Sequence, residues 1–149
     1  MLYLEKDITT VQAPALIAHG VNCADAMGSG VARAIYMKWP TVKAMYHSEG
    51  SMRLGDAQLV EVEEGLTVAN CFTQADYGRD GERYAAPGAI KMALSLAAFS
   101  AVDRGLDKVY IPRIGAGLGG LDWEEDVVPA LLEIEKHAPI NFVVCDHDG

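Results

Sequence analysis

The sequence predicts an α/β fold, a three-layer α/β/α sandwich around a mixed, mostly parallel central sheet. Short apolar runs alternate with segments of helical spacing along the chain, a pattern typical of a sheet covered by helices on both faces. Several runs, such as residues 15–21, are almost entirely apolar, as expected of strands buried on both faces. The leading strand and a pair of consecutive strands in the middle of the chain indicate a mixed sheet rather than a purely parallel one.

Local signals mark where the elements begin and end. Proline does not continue a helix, so Pro40 ends the first predicted helix and Thr41 starts the second. A Glu-Gly turn at Gly65 separates the two middle strands, and Gly105 caps the long helix. The predicted elements are strands at 1–5 and 15–21, helices at 31–40 and 41–50, two strands within 57–72, a helix at 88–103, a strand at 108–112, a helix at 122–137 and a strand at 140–145.

Composition and charge limit the function classes. The 149 residues, half of them hydrophobic, suffice for one domain with its own core, and we assign residues 1–149 to it. The formal net charge of −9 disfavours duplex nucleic acid as a partner, because non-specific binding to it needs a basic surface. No apolar run reaches membrane-spanning length and the N-terminus lacks the pattern of a signal peptide, so we expect a cytoplasmic protein without membrane contact.

The cysteines fit a reducing location. Cys23, Cys71 and Cys145 are odd in number and lack metal-ligand spacing such as C-x-x-C. Cys71 and Cys145 fall on predicted strands, where we expect them to be small buried apolar side chains. The histidines at 47, 137 and 147 are scattered along the chain. We therefore predict no metal site and no cofactor.

Two glycine-rich loops are the main functional signal. The first, residues 21–32, and the second, residues 112–123, each follow a buried strand and open a helix. Ligands of α/β sheets bind beyond the carboxyl ends of the strands, where small residues let backbone amides approach anionic oxygens. The second loop holds four glycines within six residues, more than one tight turn requires. Tight strand-to-helix turns are the alternative explanation.

Two familiar nucleotide motifs are missing. A dinucleotide fold would carry G-x-G-x-x-G directly after the first strand, and a phosphate-binding NTPase loop would carry G-K-[ST]; neither is present. The glycine loops therefore need a different explanation.

Three motifs resemble those of macrodomains, the ADP-ribose-binding α/β/α modules. They are KDIT after the first strand, HGVNCADAMGSGVA around the first loop and IPRIGAGLGGLDW around the second. The likeness extends from Leu4 to the last strand. The two loops are most similar to the branch that holds ADP-ribose 1″-phosphate phosphatases and the hydrolases that remove ADP-ribose from protein glutamate or DNA bases. The resemblance implies that the glycines let the chain wrap the diphosphate of ADP-ribose.

The resemblance also assigns ligand contacts to individual positions. Asp7 would accept a hydrogen bond from the adenine amino group, with the Ile8 amide beside it, although a carboxylate there also suits a turn cap. Asn22 would bind the hydroxyls of the distal ribose with its neutral amide. The other positions implied as lining the ligand are Met27, Gly28, Ser29, Gly30 and Val31 in the first loop, Thr73 at the fourth strand, and Ile114, Gly115, Ala116, Gly117, Leu118 and Gly119 in the second loop.

The chain departs from the hydrolases of this branch at two places. Those enzymes carry a lysine just after the fourth strand, and the glutamate-directed ones carry an aspartate in the second loop. Here Thr73 and Gln74 follow the fourth strand, and Gly119 stands in the loop. A neutral glutamine neither forms an imine nor acts as a cation. Lysine-dependent hydrolysis is therefore not expected.

The phosphatase-like members have a similar sequence at this strand end, and they carry a histidine before the first loop, where this chain has His19. We predict that His19, Asn22 and Asp25 serve catalysis, with His19 or Asp25 orienting water or protonating the leaving oxygen. A structural role for His19 and a loop-capping role for Asp25 are the alternatives. Tyr77 and Tyr84, in the polar loop at 74–88, would either cover the ligand or be surface aromatics.

The preferred hypothesis is an ADP-ribose-binding phosphatase that converts ADP-ribose 1″-phosphate to ADP-ribose. Its expected partners are these two small molecules, and an ADP-ribosylated protein is a further partner that the resemblance allows. A non-catalytic ADP-ribose reader and an ADP-ribosyl hydrolase that acts without the usual lysine are alternatives. An unrelated α/β nucleotide-binding protein is a third.

Overall fold

The structure, a computed structural model, describes residues 1–23, 30–48, 52–75, 86–116 and 119–147. Within these ranges the strands are β1 (Leu2–Glu5), β2 (Ala15–Asn22), β3 (Ala57–Glu63), β4 (Leu66–Gln74), β5 (Lys108–Ile111) and β6 (Asn141–Asp146). The helices are α1 (Gly30–Lys38), α2 (Pro40–Ser48), α3 (Pro87–Asp103) and α4 (Val128–His137). A 3₁₀ turn (Ile8–Thr10) follows β1, and a π-helical turn (Trp123–Val127) leads into α4.

The six strands form one sheet in the order β1-β6-β5-β2-β4-β3. The β3–β4 pair is antiparallel, and the other neighbouring pairs are parallel. This confirms the predicted mixed, mostly parallel sheet. The leading strand contributes differently from expectation, because β1 runs parallel to β6, with Leu2 opposite Val143. A two-residue connection forces β3 and β4 to be antiparallel, whereas no tight turn joins β1 to β6.

Each face of the sheet buries its own apolar layer. Side chains alternate along a strand, so Leu16 and Ala18 of β2 join a cluster with α3 and α4. Ile17 and Val21 of the same strand join a second cluster with α1 and α2. β4 is buried over nearly its whole length. The helices therefore lie on both faces of the sheet, which confirms the predicted three-layer sandwich.

Two prolines set helix boundaries. Pro40 is the first residue of α2 rather than the end of the first helix, because proline suits the first helical position, where its missing N–H is not needed. The predicted helix at 122–137 begins as a π-helical turn, capped by Asp122, whose carboxylate accepts from the Glu125 amide at 2.9 Å. Pro129 follows in α4, and the wider turn before it relieves the clash of a proline ring with the preceding turn.

The remaining predicted boundaries agree closely with the structure. The chain turns at Gly65 with φ +81°, and Gly105 follows the end of α3 with φ +74°, as expected of a helix-ending glycine. The predicted end of the second helix at Gly50 lies outside the described residues. Over the described ranges no helix combines the length and apolarity needed to cross a membrane.

Candidate functional site

The parallel strands all end at one edge of the sheet, and this carboxyl edge carries the predicted site residues. Asp7 follows β1, Asn22 ends β2, Thr73 lies next to the end of β4, and Ile114 follows β5. The strand order places β6 and β5 between β1 and β2. At a spacing of about 4.8 Å per strand, β1, which Asp7 follows, and β2, which Asn22 ends, lie roughly 14 Å apart along the edge. Only an elongated ligand could touch both.

The ends of β2, β4 and β5 meet closely at Gly20. A Cβ atom added to Gly20 would lie 2.7 Å from the Oγ1 atom of Thr73 and 3.2 Å from the Cγ2 atom of Ile114. Both distances are too short for an ordinary contact, so a side chain here would force Thr73 and Ile114 to shift. Thr73 and Ile114 are themselves buried. The structure thus brings two predicted ligand-lining residues together against the backbone of β2.

The end of β2 departs from a regular ladder. Val21 pairs with Phe72, but Asn22 pairs with Gln74, so Thr73 is an extra residue on β4. The Cys23 amide then donates to the Gln74 carbonyl at 2.9 Å, which extends the contact past the strand. Such bulges are frequent next to binding sites, where they redirect side chains. Asn22 is buried here, 7% exposed, and its amide is contacted by the Tyr46 hydroxyl of α2.

At the other end of the edge, Asp7 both caps a turn and carries charge. Its Oδ1 atom accepts from the Thr9 amide at 2.9 Å and from the Thr9 hydroxyl at 2.7 Å. The hydroxyl bond, and then the amide bond, lower the pKa of Asp7, so the group is a carboxylate at neutral pH. The Oδ2 atom lies 3.9 Å from Nε2 of His147. The predicted turn cap is present, and one carboxylate oxygen remains outside it.

The second glycine loop closes on itself. Gly115 and Gly120 have φ of +81° and +78°, a conformation that favours glycine. The Leu121 amide donates to the Gly115 carbonyl at 2.9 Å, which fixes the two ends of the loop together. These two glycines therefore serve the turn itself, in agreement with the alternative explanation of a tight strand-to-helix turn. Gly117 and Leu118 lie outside the described residues.

A cluster around Arg113 anchors the start of this loop. The guanidinium donates two hydrogen bonds to Asp146 at the end of β6, at 2.8 and 3.0 Å. Its centre lies 5.4 Å from the ring centroid of Tyr3 and 5.5 Å from that of Trp123. The Trp123 indole in turn donates to the Tyr3 hydroxyl at 3.1 Å. Paired planar contacts of this kind suit arginine rather than lysine, and they hold the loop against β1 and β6.

His19 lies inside the fold. It is 1% exposed, and its Nε2 atom lies 2.6 Å from Oδ1 of Asn70. Asn70 donates to Gln58 at 2.9 Å, and Gln58 donates to the Met45 carbonyl of α2 at 2.7 Å. These three side chains occupy paired positions on β2, β4 and β3, so they form a polar row beneath α2.

Burial decides the protonation of this imidazole. Desolvation lowers the pKa of His19 to about 4, against the opposing effect of the Asn70 hydrogen bond. Its Nδ1 atom has no hydrogen-bond partner in the part of the chain that the structure describes. A neutral imidazole keeps one ring proton, and here Nε2 directs it at the Asn70 oxygen inside the fold rather than toward a substrate. The structure favours the structural role for His19 that the sequence left open.

The other predicted residues divide into described and undescribed positions. Gly30 and Val31 are exposed at the start of α1, and Gly119 is buried. Ala116 is half-buried. Ile8 is buried beneath the turn that Asp7 caps. The predicted positions outside the described residues are Asp25, Met27, Gly28, Ser29, Tyr77 and Tyr84.

The cysteines agree with expectation where the structure describes them. Cys71 and Cys145 are buried on strands, and all three cysteines are free. Burial raises the pKa of Cys71 to about 12, so its thiol is inert. Among the described side chains no three His, Cys, Asp or Glu residues form a group that could hold a metal ion. The prediction of no metal site stays a prediction.

Sequence reasoning missed two residues at this edge. Gly20 had a readable signal, since an isolated glycine inside an apolar strand often marks a close approach of another segment. Tyr46 had none, because its contact with Asn22 joins residues 24 positions apart.

Comparison with known proteins identifies the family of this chain. A family model described as "Macro domain" matches residues 18–129. An ADP-ribose 1″-phosphate phosphatase of Candida albicans is 26% identical over 146 residues, covering 90% of this chain and 93% of that protein. An uncharacterized 17.5 kDa protein from the tk-vs intergenic region of Enterobacteria phage T4 is 29% identical over 149 residues, covering 97% and 94%.

A solved structure agrees at the level of the fold. A macrodomain protein from Streptomyces coelicolor superposes with a TM-score of 0.81 at 29% identity, over 98% of each chain. The matched family region contains the ends of β2 and β4 and both glycine loops. The resemblance seen in the three sequence motifs is thereby confirmed, and this chain belongs to the macrodomain family, a family of ADP-ribose-binding modules.

Proposed function

We propose that this protein binds ADP-ribose along the carboxyl edge and removes the phosphate from ADP-ribose 1″-phosphate. The observation that carries the proposal is the placement of Asp7 and Asn22 three strands apart on one edge, with the second glycine loop, which follows β5, between them. An acceptor for adenine, amides for a diphosphate and an amide side chain for the distal ribose follow one another in the order in which the ligand presents these groups. The similarity to the Candida phosphatase supports the reaction.

Phosphate binding in this site falls to backbone groups rather than to charge. The chain carries a formal charge of −9, so its overall field repels a diphosphate. Preorganised amides in a glycine loop and the N-terminus of α1 supply local positive potential. The positive φ angles of Gly115 and Gly120 let the chain turn tightly on either side of the loop's centre, which supports this proposal.

In the proposed reaction, the oxygen of a water molecule forms a bond to phosphorus. The bond between phosphorus and the 1″ oxygen breaks, and that oxygen gains one of the two protons of the water, directly or by way of Asp25, to give ADP-ribose; the other proton stays on the inorganic phosphate. Asn22 fixes the distal ribose, and Asp25 orients the water or protonates the leaving oxygen. His19 acts from within the fold rather than on the substrate, because it is buried in the polar row.

The test combines calorimetry with ADP-ribose and phosphate release from ADP-ribose 1″-phosphate. We expect binding and release in the wild type, and loss of both in Gly117→Val. Asp25→Asn should keep binding and lose release. Asp103→Asn is the matched control, because Asp103 is exposed at the end of α3, which leads to the start of β5 at the opposite edge. Absence of ADP-ribose binding in the folded wild type would refute the proposal.

A reader without turnover is the second candidate. The burial of His19 favours it, because this residue was the imidazole predicted to act on the substrate. The same experiment separates the two functions. Binding of ADP-ribose without phosphate release from ADP-ribose 1″-phosphate would identify a reader.

A further inference from the structure

Asn22 is contacted by a tyrosine from the helical layer below it. The Tyr46 hydroxyl of α2 donates to the carbonyl oxygen of Asn22 at 2.8 Å and to its side-chain Oδ1 at 3.0 Å. One hydroxyl therefore constrains both the last residue of β2 and the rotation of its side chain. Tyr46 is 2% exposed and Asn22 is 7% exposed. In such surroundings a hydrogen bond defines geometry strongly, because water offers little competition.

Tyr46 is itself held rigidly. Its ring stacks on that of Phe72 in β4, with centroids 5.9 Å apart and planes at 23°. The residue before it, Met45, accepts a hydrogen bond from Gln58 at 2.7 Å. Gln58 belongs to the polar row with Asn70 and His19. The helix that carries Tyr46 is thus tied to β3, and the tyrosine ring is tied to β4.

We propose that Tyr46 is a positioning residue, which sets the orientation of the Asn22 amide for the distal ribose. This inference rests on the proposed binding of ADP-ribose. The hydroxyl acts through Asn22 rather than on the ligand, since it is buried and lies within hydrogen-bond distance of both oxygens of that residue. The polar row beneath α2 serves the same purpose, because it fixes the height of the helix above the sheet. Recognition of the distal ribose therefore depends on a residue of the helical layer beneath the carboxyl edge.

The inference separates two ligands that differ only in the distal ribose. ADP-ribose contacts the Asn22 end of the edge, whereas ADP shares its adenosine and diphosphate but ends before it. Tyr46→Phe keeps the ring on Phe72 and removes the hydroxyl. We expect the dissociation constant for ADP-ribose to rise about three- to tenfold, as for loss of one orienting hydrogen bond, while that for ADP stays unchanged.

Two further variants sharpen the test. Tyr36→Phe removes a hydroxyl from α1 and keeps the ring beneath the Lys43 ammonium; it should bind both ligands as the wild type does. The double variant Tyr46→Phe/Asn22→Ala should bind ADP-ribose no more weakly than Asn22→Ala alone, because Tyr46 acts only through Asn22. Additive losses would mean that Tyr46 contributes by another route and would overturn the inference.

The outcomes also distinguish this inference from the proposed function. If the wild type binds ADP-ribose and Tyr46→Phe binds it equally well, the positioning role of Tyr46 is refuted, whereas the proposed binding function is not. Equal weakening of ADP binding and ADP-ribose binding would show a general loosening of the fold and would also refute the positioning role of Tyr46. If the folded wild type binds no ADP-ribose, the proposed function falls and takes the positioning role with it.

Discussion

Asp7 combines two roles that can be separated by substitution. Its Oδ1 atom caps the turn through Thr9, and its Oδ2 atom lies outside that cap. Asp7→Ala removes both the cap and the proposed acceptor for adenine. We expect binding of ADP-ribose to weaken by about 1–3 kcal/mol, the range for a charge-assisted hydrogen bond. Binding of AMP should weaken by the same amount, since AMP carries the same adenine. Calorimetry measures both affinities.

The matched variant is Asp7→Asn. Asparagine caps as well as aspartate does, so the turn should persist and thermal unfolding should change little. The charge of the acceptor is lost, and ADP-ribose binding should weaken in this variant too. If Asp7→Asn binds like the wild type, the carboxylate serves the turn and not the adenine.

The buried imidazole of His19 makes stability depend on pH. The pKa falls from 6.5 to about 4 on folding, so between these values the unfolded chain binds more protons than the folded one. Stability therefore rises with pH through this window and falls as the protein is acidified. The full change amounts to about 3 kcal/mol, from 1.36 kcal/mol per pKa unit. Urea denaturation at several pH values measures it.

His19→Gln should remove this part of the pH dependence. Glutamine is neutral throughout the window, and its amide can still donate to Asn70. His137→Gln is the control for loss of an imidazole, because His137 is exposed on α4 beside Glu133, and it should keep the rise in stability between about pH 4 and pH 6.5. An unchanged slope in His19→Gln would mean that the imidazole is not the group responsible.

The junction of β2, β4 and β5 depends on the absence of a side chain at Gly20. Gly20→Ala would push a methyl group against the Thr73 hydroxyl and Ile114. We expect a loss of about 1–3 kcal/mol in the free energy of unfolding, the usual cost of overpacking. ADP-ribose binding should weaken as well, because both neighbours belong to the proposed site.

A double-mutant cycle tests the cause of that loss. Thr73→Ala removes the oxygen that lies 2.7 Å from the added methyl group, while the contact with Ile114 at 3.2 Å remains. Gly20→Ala should therefore cost less in the Thr73→Ala background than in the wild type. Equal costs in the two backgrounds would locate the strain elsewhere.

Most elements could be predicted from the sequence because their signals are local. Apolar runs, Gly65 and Gly105 mark strands, a turn and a helix end without knowledge of the rest of the chain. The direction of β1 could not be predicted, because it depends on pairing with β6 at the other end of the sequence. The π-helical turn before Pro129 could not be predicted either, since an interrupted helix and a continuous one have the same spacing of apolar residues.

The residues of the candidate site also divide into those that local sequence signals predict and those that they do not. Asp7, Asn22 and the glycine loops lie in recognisable motifs, so sequence alone located the carboxyl edge. The burial of His19 and the contact of Tyr46 with Asn22 arise from α2 packing on the sheet, which no local pattern reports. Residues in local motifs are thus easier to predict here than residues that contact them across the fold.

The charge of the whole molecule poses a problem for an anionic ligand. With a net charge of −9, the protein repels a diphosphate at long range, and salt screens that repulsion. A site that binds phosphate through lysine and arginine behaves oppositely, because salt weakens such ion pairs. The sign of the salt dependence therefore reports which groups hold the diphosphate.

We expect ADP-ribose affinity to stay constant or increase between about 50 mM and 500 mM NaCl, since fixed amide dipoles at close range are screened less than exposed charges. Calorimetry at a series of salt concentrations measures this dependence. Adenosine, which lacks the diphosphate, is the control for effects of salt on the adenine end. A dissociation constant for ADP-ribose that rises about tenfold over this range, with adenosine unaffected, would assign the diphosphate to basic side chains and contradict the glycine-loop proposal.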